Sequence, residues 1–318
     1  MAQPFLAHAQ SPTSGQGAAT AYPTRTVTVI VPQAPGGTND ALGRILAQKL
    51  TERLGQTFVV ENRVGAGGNI GTALAAKAPR DGYTLLVTIS SSQAINPALY
   101  KNTGFDPIKD FDAIAPLGVV PNVLVVNPQF PARTLREFLA HARAAKPAPQ
   151  YASAGNGTLN HLLGEMLNRA AGLSLEHVPY KGVAPAITDV IGGQVPMAFA
   201  SLPSCIGHLK TGKLVALGVS SARRSPALPE VPAIGELVPG FAGDLWVGVF
   251  AVAGTPAPII DKLAAEVQAL MAAPDVLERF AALGAEPLRG GPAQLAAMVR
   301  DDLARWAPVV RASGAQVD

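Results

Sequence analysis

Apolar positions along the chain alternate between two periods. A β-branched run at 27–31 is followed by a small-residue loop, Pro32-Gln33-Ala34-Pro35-Gly36-Gly37-Thr38. From about Asn39 the apolar residues fall at Leu42, Ile45, Leu46, Leu50 and Leu54, which is helical spacing, and Gly55 stops the run. The same unit then recurs. Strand 58–60 leads through Gly65-Ala66-Gly67-Gly68 into a small-residue helix that ends before Pro79. Asp81-Gly82 turns into strand 83–89, which meets Ser90-Ser91-Ser92. Strand 123–126 precedes helix 135–145. Strand 151–154 precedes Gly155-Asn156-Gly157 and a helix opening at Thr158. That helix carries Leu159, Leu162, Leu163, Met166 and Leu167 on one face and closes at Gly172. Segments 175–178, 195–200, 214–219 and 246–252 read as strands, and 258–272, 275–283 and 292–311 as helices. Strand alternating with helix predicts an α/β fold with parallel sheets.

The helix-rich end has too few strands for a sheet of its own, so it is expected to pack back onto the first sheet. This predicts a discontinuous domain one, 22–121 plus 222–318, and a domain two at 122–221, with crossings near Pro121 and Ser221. Residues 1–21 read as an unstructured tail or signal remnant. Ala7-His8-Ala9 before Gln10 has the form of a signal cleavage site, but no basic and then apolar stretch precedes it.

Composition narrows the function classes. The chain has 318 residues, 48% hydrophobic and only 15% charged, a balance that excludes a disordered chain. A single cysteine, Cys205, excludes a disulfide framework and Cys-rich metal sites. The net charge is +3 without a basic run, which argues against nucleic acid and suits a small anion. No stretch approaches the ~18–20 apolar residues of a membrane span.

Catalytic motifs fail one by one. Gly218-Val219-Ser220-Ser221-Ala222 lacks the second glycine of a nucleophile elbow. The histidines, His8, His141, His161, His177 and His208, have no metal-ligand spacing, so no metal is expected. Gly65 to Gly71 misses the dinucleotide fingerprint by one residue, at Ile70, so no cofactor is expected. The rival enzyme reading is a small hydrolase or isomerase using Cys205 or His161. A third reading, a ligand-sensing module, shares the fold.

Three strand-to-helix loops are small and polar: Gly36-Gly37-Thr38-Asn39-Asp40, Ser90-Ser91-Ser92-Gln93 and Ser153 to Thr158. Such loops sit at the carboxyl edge of a parallel sheet, where ligands bind. Each opens a helix whose first N–H groups lack intrahelical partners. Without Arg or Lys, they suit a carboxylate rather than a polyphosphate. Thr158 offers a hydroxyl and an N–H to such a group, or else caps its helix. A ligand ammonium would call on Asp40 or Asp244.

The chain also resembles a known family. The segments that carry the resemblance include Pro35-Gly36-Gly37-Thr38-Asn39-Asp40, Val59-Val60-Glu61-Asn62-Arg63, Asp81-Gly82-Tyr83, Asn96-Pro97-Ala98-Leu99-Tyr100, Tyr151 to Thr158 and His177-Val178-Pro179-Tyr180-Lys181-Gly182. Together these resemble the periplasmic solute-binding proteins of the tripartite tricarboxylate transporter class, the Bordetella uptake gene family. The resemblance implies a two-lobed Venus-flytrap fold of the type II periplasmic binding protein kind, a cleft between the lobes and no catalysis. It implies a periplasmic, monomeric protein that hands a small carboxylate to the membrane subunits of a tripartite transporter. The expected ligand-binding set is Ala34, Gly36, Gly37, Thr38, Asp40, Ser90, Ser91, Gln93, Ser153, Ala154, Gly157, Thr158, His161, Tyr180 and Ser201. Gln33, the serines near position 91 and the segment from Ser201 to Cys205 depart from the family pattern.

Overall fold

The computed structural model describes residues 22–315 and 317; the expected tail with Ala7-His8-Ala9 lies outside them. The chain builds β1(Val27–Val31), β2(Phe58–Asn62), β3(Thr84–Ile89) and β4(Phe111–Val120) in a first sheet. It crosses to a second sheet for β5(Asn122–Val126), β6(Gln150–Ser153), β7(Glu176–Pro179), β8(Met197–Ser201) and β9(Val215–Val219). It then returns with β10(Leu245–Val252) and β11(Glu286–Pro287). Strand orders are β11-β4-β10-β3-β1-β2 and β7-β6-β8-β5-β9. Helices α1(Thr38–Leu54), α2(Asn69–Ala76), α3(Asn96–Leu99), α4(Leu135–Ala144), α5(Leu159–Ala171), α6(Val183–Ile191), α7(Leu202–Lys210), α8(Ala257–Leu270), α9(Pro274–Ala282) and α10(Pro292–Ser313) cover the sheets.

The sheets are mixed, not parallel as the strand–helix alternation predicts. β1 pairs in parallel with β2 and β3, and β6 with β7 and β8. β10 runs antiparallel to β3 and β4, and β5 antiparallel to β8 and β9. Besides the two-residue edge strand β11, antiparallel to β4, the reversed strands are β5 and β10, which enter a sheet directly from the other lobe. Each begins at the edge facing that lobe, so it must run away from it, against its neighbours. Strand β4, absent from the periodicity reading, contains Pro116 and Gly118. Its register against β10 shifts beside Gly248, which pairs with Pro116; a proline is tolerated at such an irregularity.

Lobe one buries Leu42, Leu46 and Leu50 of α1, Leu263 and Val267 of α8 and Phe280 of α9 against one face of its sheet. Lobe two buries Leu162, Leu163 and Leu167 of α5 against one face and Ile187 and Val190 of α6 against the other. Helix α10 belongs to both. Leu295 and Val299 pack under the first sheet with Trp246 and Phe250, while Trp306, Val309 and Val310 enter the core of lobe two. The Pro-rich segment after Arg224 also lies on lobe two, with Ile234, Val238 and Phe241 in its core.

The two crossings are hydrogen-bonded to one another. Asn122 N donates to Ser220 Oγ at 3.0 Å, Ser220 N donates to Asn122 O at 2.7 Å, and Gly243 N donates to Ser220 O at 2.9 Å.

Candidate functional site

Between the lobes lies a cavity of about 630 Å³. It opens where strand ends converge. Ile89 ends β3, Ser201 ends β8, Asn122 begins β5 and Leu245 begins β10, and all four line it. Of the expected ligand-binding residues, Ala34, Ser91, Ala154, Gly157, Thr158 and Ser201 are brought together on its wall. Gly36, Gly37, Thr38, Asp40, Ser90, Gln93, Ser153, His161 and Tyr180 are not on that wall.

Several of these have other partners. Asp40 is buried, accepts hydrogen bonds from Gly36 N, Asn62 and Arg44, and pairs with Arg44 at 3.0 Å. Burial acts to raise its carboxyl, but those bonds outweigh it and hold the group below its ordinary value. Tyr180 donates its hydroxyl to Asp189 at 2.7 Å. The Ser90-Ser91-Ser92 segment is no loop: the chain turns helical at Ser91, directly after β3, and continues into α3. That turn buries Ser90 and Gln93 completely. Asp244 lines a separate cavity behind the crossings, where burial pushes its carboxyl up to about 7.

On lobe two the wall is the turn before α5. Gly155 and Gly157 hold φ of +131° and +71°, which admits the tight reversal. The Thr158 hydroxyl donates to Gly155 O at 2.7 Å and accepts from His161 N, so it caps its own helix. The first-turn amides of Leu159 and Asn160 have no intrahelical partner, and both residues line the cavity. The positive end of the helix dipole therefore faces the cleft. Behind the turn, Gly157 N donates to His161 Nδ1 at 3.1 Å. The His161 ring stacks on His177 at 3.8 Å, and His177 Nε2 lies 2.6 Å from Ser153 Oγ.

On lobe one the wall is a web of neutral amides and hydroxyls. Gln33 Nε2 donates to Ser92 Oγ, Ser92 Oγ donates to Gly67 O, and Asn96 Nδ2 donates to Gly67 O and Asn69 Oδ1. Gly67 and Gly68 complete it; a Cβ on Gly68 would lie 2.6 Å from Ser92 Oγ and 2.8 Å from Gln33 Nε2. Gln33, Asn96, Tyr100, Asn122, Asn156 and Asn160 all line the cavity; none was in the expected ligand-binding set, although Asn156 lies within the Ser153-to-Thr158 loop singled out from the sequence. The other signals were that Gln33 departs from the family pattern and that the Gly65-to-Gly68 run needs close backbone packing.

Burial pushes the His161 imidazole down to about 4, and burial with the neighbouring His161 does the same to His177. An unfolded chain protonates both near 6.5, so it takes up protons first as pH falls. Their contribution to stability is whole above about 6.5 and is lost toward about 4. Asp244, raised to about 7, acts in the opposite sense in that window, so the imidazole effect is read as a difference. His177→Gln is expected to make the fall of the urea midpoint between pH 6.5 and 4 shallower than in the parent. Identical pH profiles would refute it.

Cys205 is fully buried in the lobe-two core, and burial pushes its thiol up to about 12, far from a reactive thiolate. Among the described residues no cluster of His, Cys, Asp or Glu could hold a metal, and no helix is long and apolar enough to cross a membrane.

Two α/β lobes joined by paired crossings and by the shared helix α10, with a cleft between them that is uncharged among the described residues, are the build of a solute-binding protein. The tripartite tricarboxylate transporter family receptor profile matches residues 42–315, and the chain belongs to that family. It is 38% identical to the protein BugT of Bordetella pertussis over 93% of this chain and 91% of that one. A Rhodopseudomonas palustris protein solved with adipate is 35% identical with a TM-score of 0.82, covering 93% of this chain and 100% of its own. MatC from the same organism, solved with malate, is 34% identical with a TM-score of 0.76, covering 91% and 100%.

Proposed function

We propose that this protein is an extracytoplasmic receptor that captures a small carboxylate between its lobes and delivers it to the membrane subunits of a tripartite transporter. The observation that carries the reading is the α5 N-terminus. Free amides and the helix dipole face a cavity whose wall, among the described residues, bears no Asp, Glu, Lys, Arg or His. Malate- and adipate-bound relatives of the same fold support it. Closure would turn about the crossings at Pro121 and at Gly243, which share the Ser220 hydrogen bonds. Among the described residues nothing in the cleft pairs a nucleophile with a base, and binding without turnover is the expected behaviour.

A carboxylate that binds only the folded state adds about 2.7 kcal/mol of stability at a hundredfold excess over its Kd. A thermal-shift screen over mono- and dicarboxylates is expected to find such a ligand, recovered unchanged after prolonged incubation. Steady product formation would favour the enzyme reading, and no shift with any carboxylate would refute the receptor reading.

A further inference from the structure

The turn before α5 is held from behind by a side-chain acceptor. Gly157 N donates to His161 Nδ1 at 3.1 Å, so that nitrogen must offer its lone pair and the ring hydrogen belongs on Nε2. Gly157 lines the cavity at φ +71° and lies against Leu99 of α3. With its N–H turned into lobe two, the peptide before it is fixed. A second proton on this imidazole has one place to go, Nδ1, where it would meet the Gly157 hydrogen head on. The bond and the imidazolium therefore exclude one another.

The surroundings keep the ring neutral. His161 is buried, and the His177 ring of β7 stacks on it at 3.8 Å, so two imidazolium charges would face each other. Glu165 of α5 and Tyr151 of β6 are the other ionisable groups that face the pair. Glu165 Oε1 lies 3.9 Å from His161 Nε2, beyond hydrogen-bond reach, and accepts from the Tyr151 hydroxyl at 2.9 Å. His177 Nε2 is 2.6 Å from Ser153 Oγ, which accepts from Gly155 N, so the second imidazole secures the other end of the same turn.

We propose that His161 is a positioning residue for ligand capture: its neutral imidazole holds the turn before α5 as a hydrogen-bond acceptor and lets go when protonated. This deepens the carboxylate-receptor reading above and rests on it. The Gly157 bond is whole at neutral pH and is lost as pH falls through about 4, to which burial brings the imidazole down.

Nitrogen NMR of the full chain reads the turn without a ligand. At pH 7 a proton is expected on His161 Nε2 and none on Nδ1. On acidification, His161 protonation and a shift of the Gly157 amide signal are expected to share one midpoint near 4. Two variants separate positioning from packing. His161→Leu keeps the bulk and removes the acceptor; His161→Asn places Oδ1 on Cγ, where Nδ1 was, and does not titrate. Adipate and malate are the probes, titrated calorimetrically at pH 7. The Leu variant is expected to bind about three- to tenfold more weakly, the worth of one neutral hydrogen bond. The Asn variant is expected to regain most of that loss, with a Gly157 signal that no longer moves near pH 4. A merely structural histidine would lower the urea midpoint and leave affinity alone. A proton on Nδ1 at pH 7, a Gly157 amide indifferent to His161 protonation, or parent-like affinity in the Leu variant would overturn the proposal. Silence of the parent toward both probes with the NMR signature intact would count against the receptor reading and leave the hold of His161 on the turn standing.

Discussion

Gly157→Ala is expected to lower ligand affinity by about ten- to hundredfold, because overpacking a tight contact costs ~1–3 kcal/mol. Gly157 sits at φ +71°, where a side chain is strained, and a Cβ there would lie 2.2 Å from Leu99 Cδ2. Leu99 comes from the lobe-one segment α3 but packs against the lobe-two core, and Gly157 lies in lobe two, so the added methyl group strikes where the lobes meet. The left-handed backbone adds ~1–2 kcal/mol of strain to the folded protein whatever the cleft does. The two effects separate in a double variant. Leu99→Ala in the Gly157→Ala background is expected to restore most of the affinity and none of the backbone stability. Titration calorimetry beside urea unfolding reads both. Parent-like affinity in the single variant, or no recovery in the double, would show that lobe-to-lobe contact at this point does not limit binding.

Trp306→Ala is expected to remove ~3–5 kcal/mol, the usual loss for a large buried aromatic ring. Trp306 is fully buried in the lobe-two core although it comes from the last helix of the chain. Leu295, also fully buried and about three turns earlier on α10, is anchored under the first sheet. A further tie joins Trp246 Nε1 of β10 to Asp302 of α10 at 2.7 Å. Because one helix serves both cores, Trp306→Ala and Leu295→Ala should each lower a single calorimetric transition. Two resolved transitions in either variant would show that the lobes melt independently.

Much of the fold was legible where the side-chain period was clean. The 27–31 run became β1, and the Leu42-to-Leu54 spacing became α1, ended by Gly55 in the left-handed conformation. The face from Leu159 to Leu167 became α5, capped by Thr158 and closed by Gly172. Strand β4 was hidden because Asp112, Pro116 and Gly118 break its alternation, and only pairing with β10 along its length and β11 near its end makes it a strand. The reversal of β5 and β10 was not legible, since direction in a sheet depends on which lobe the chain arrives from. The glycine turn at Gly155–Gly157 was readable because positive φ demands glycine. The amide web of Gln33, Asn69 and Asn96 was not. Each is an isolated neutral residue that reads as ordinary turn chemistry until three distant segments meet at one cavity.

The shared helix α10 also sets an order of assembly. Every strand of lobe two is contiguous in the chain, complete by Val219, yet its core waits for Trp306, Val309 and Val310. Lobe one waits likewise for β10 and for Leu295. A chain emerging from the ribosome therefore cannot close either core before α10 has been made, and folding is deferred until that helix is out.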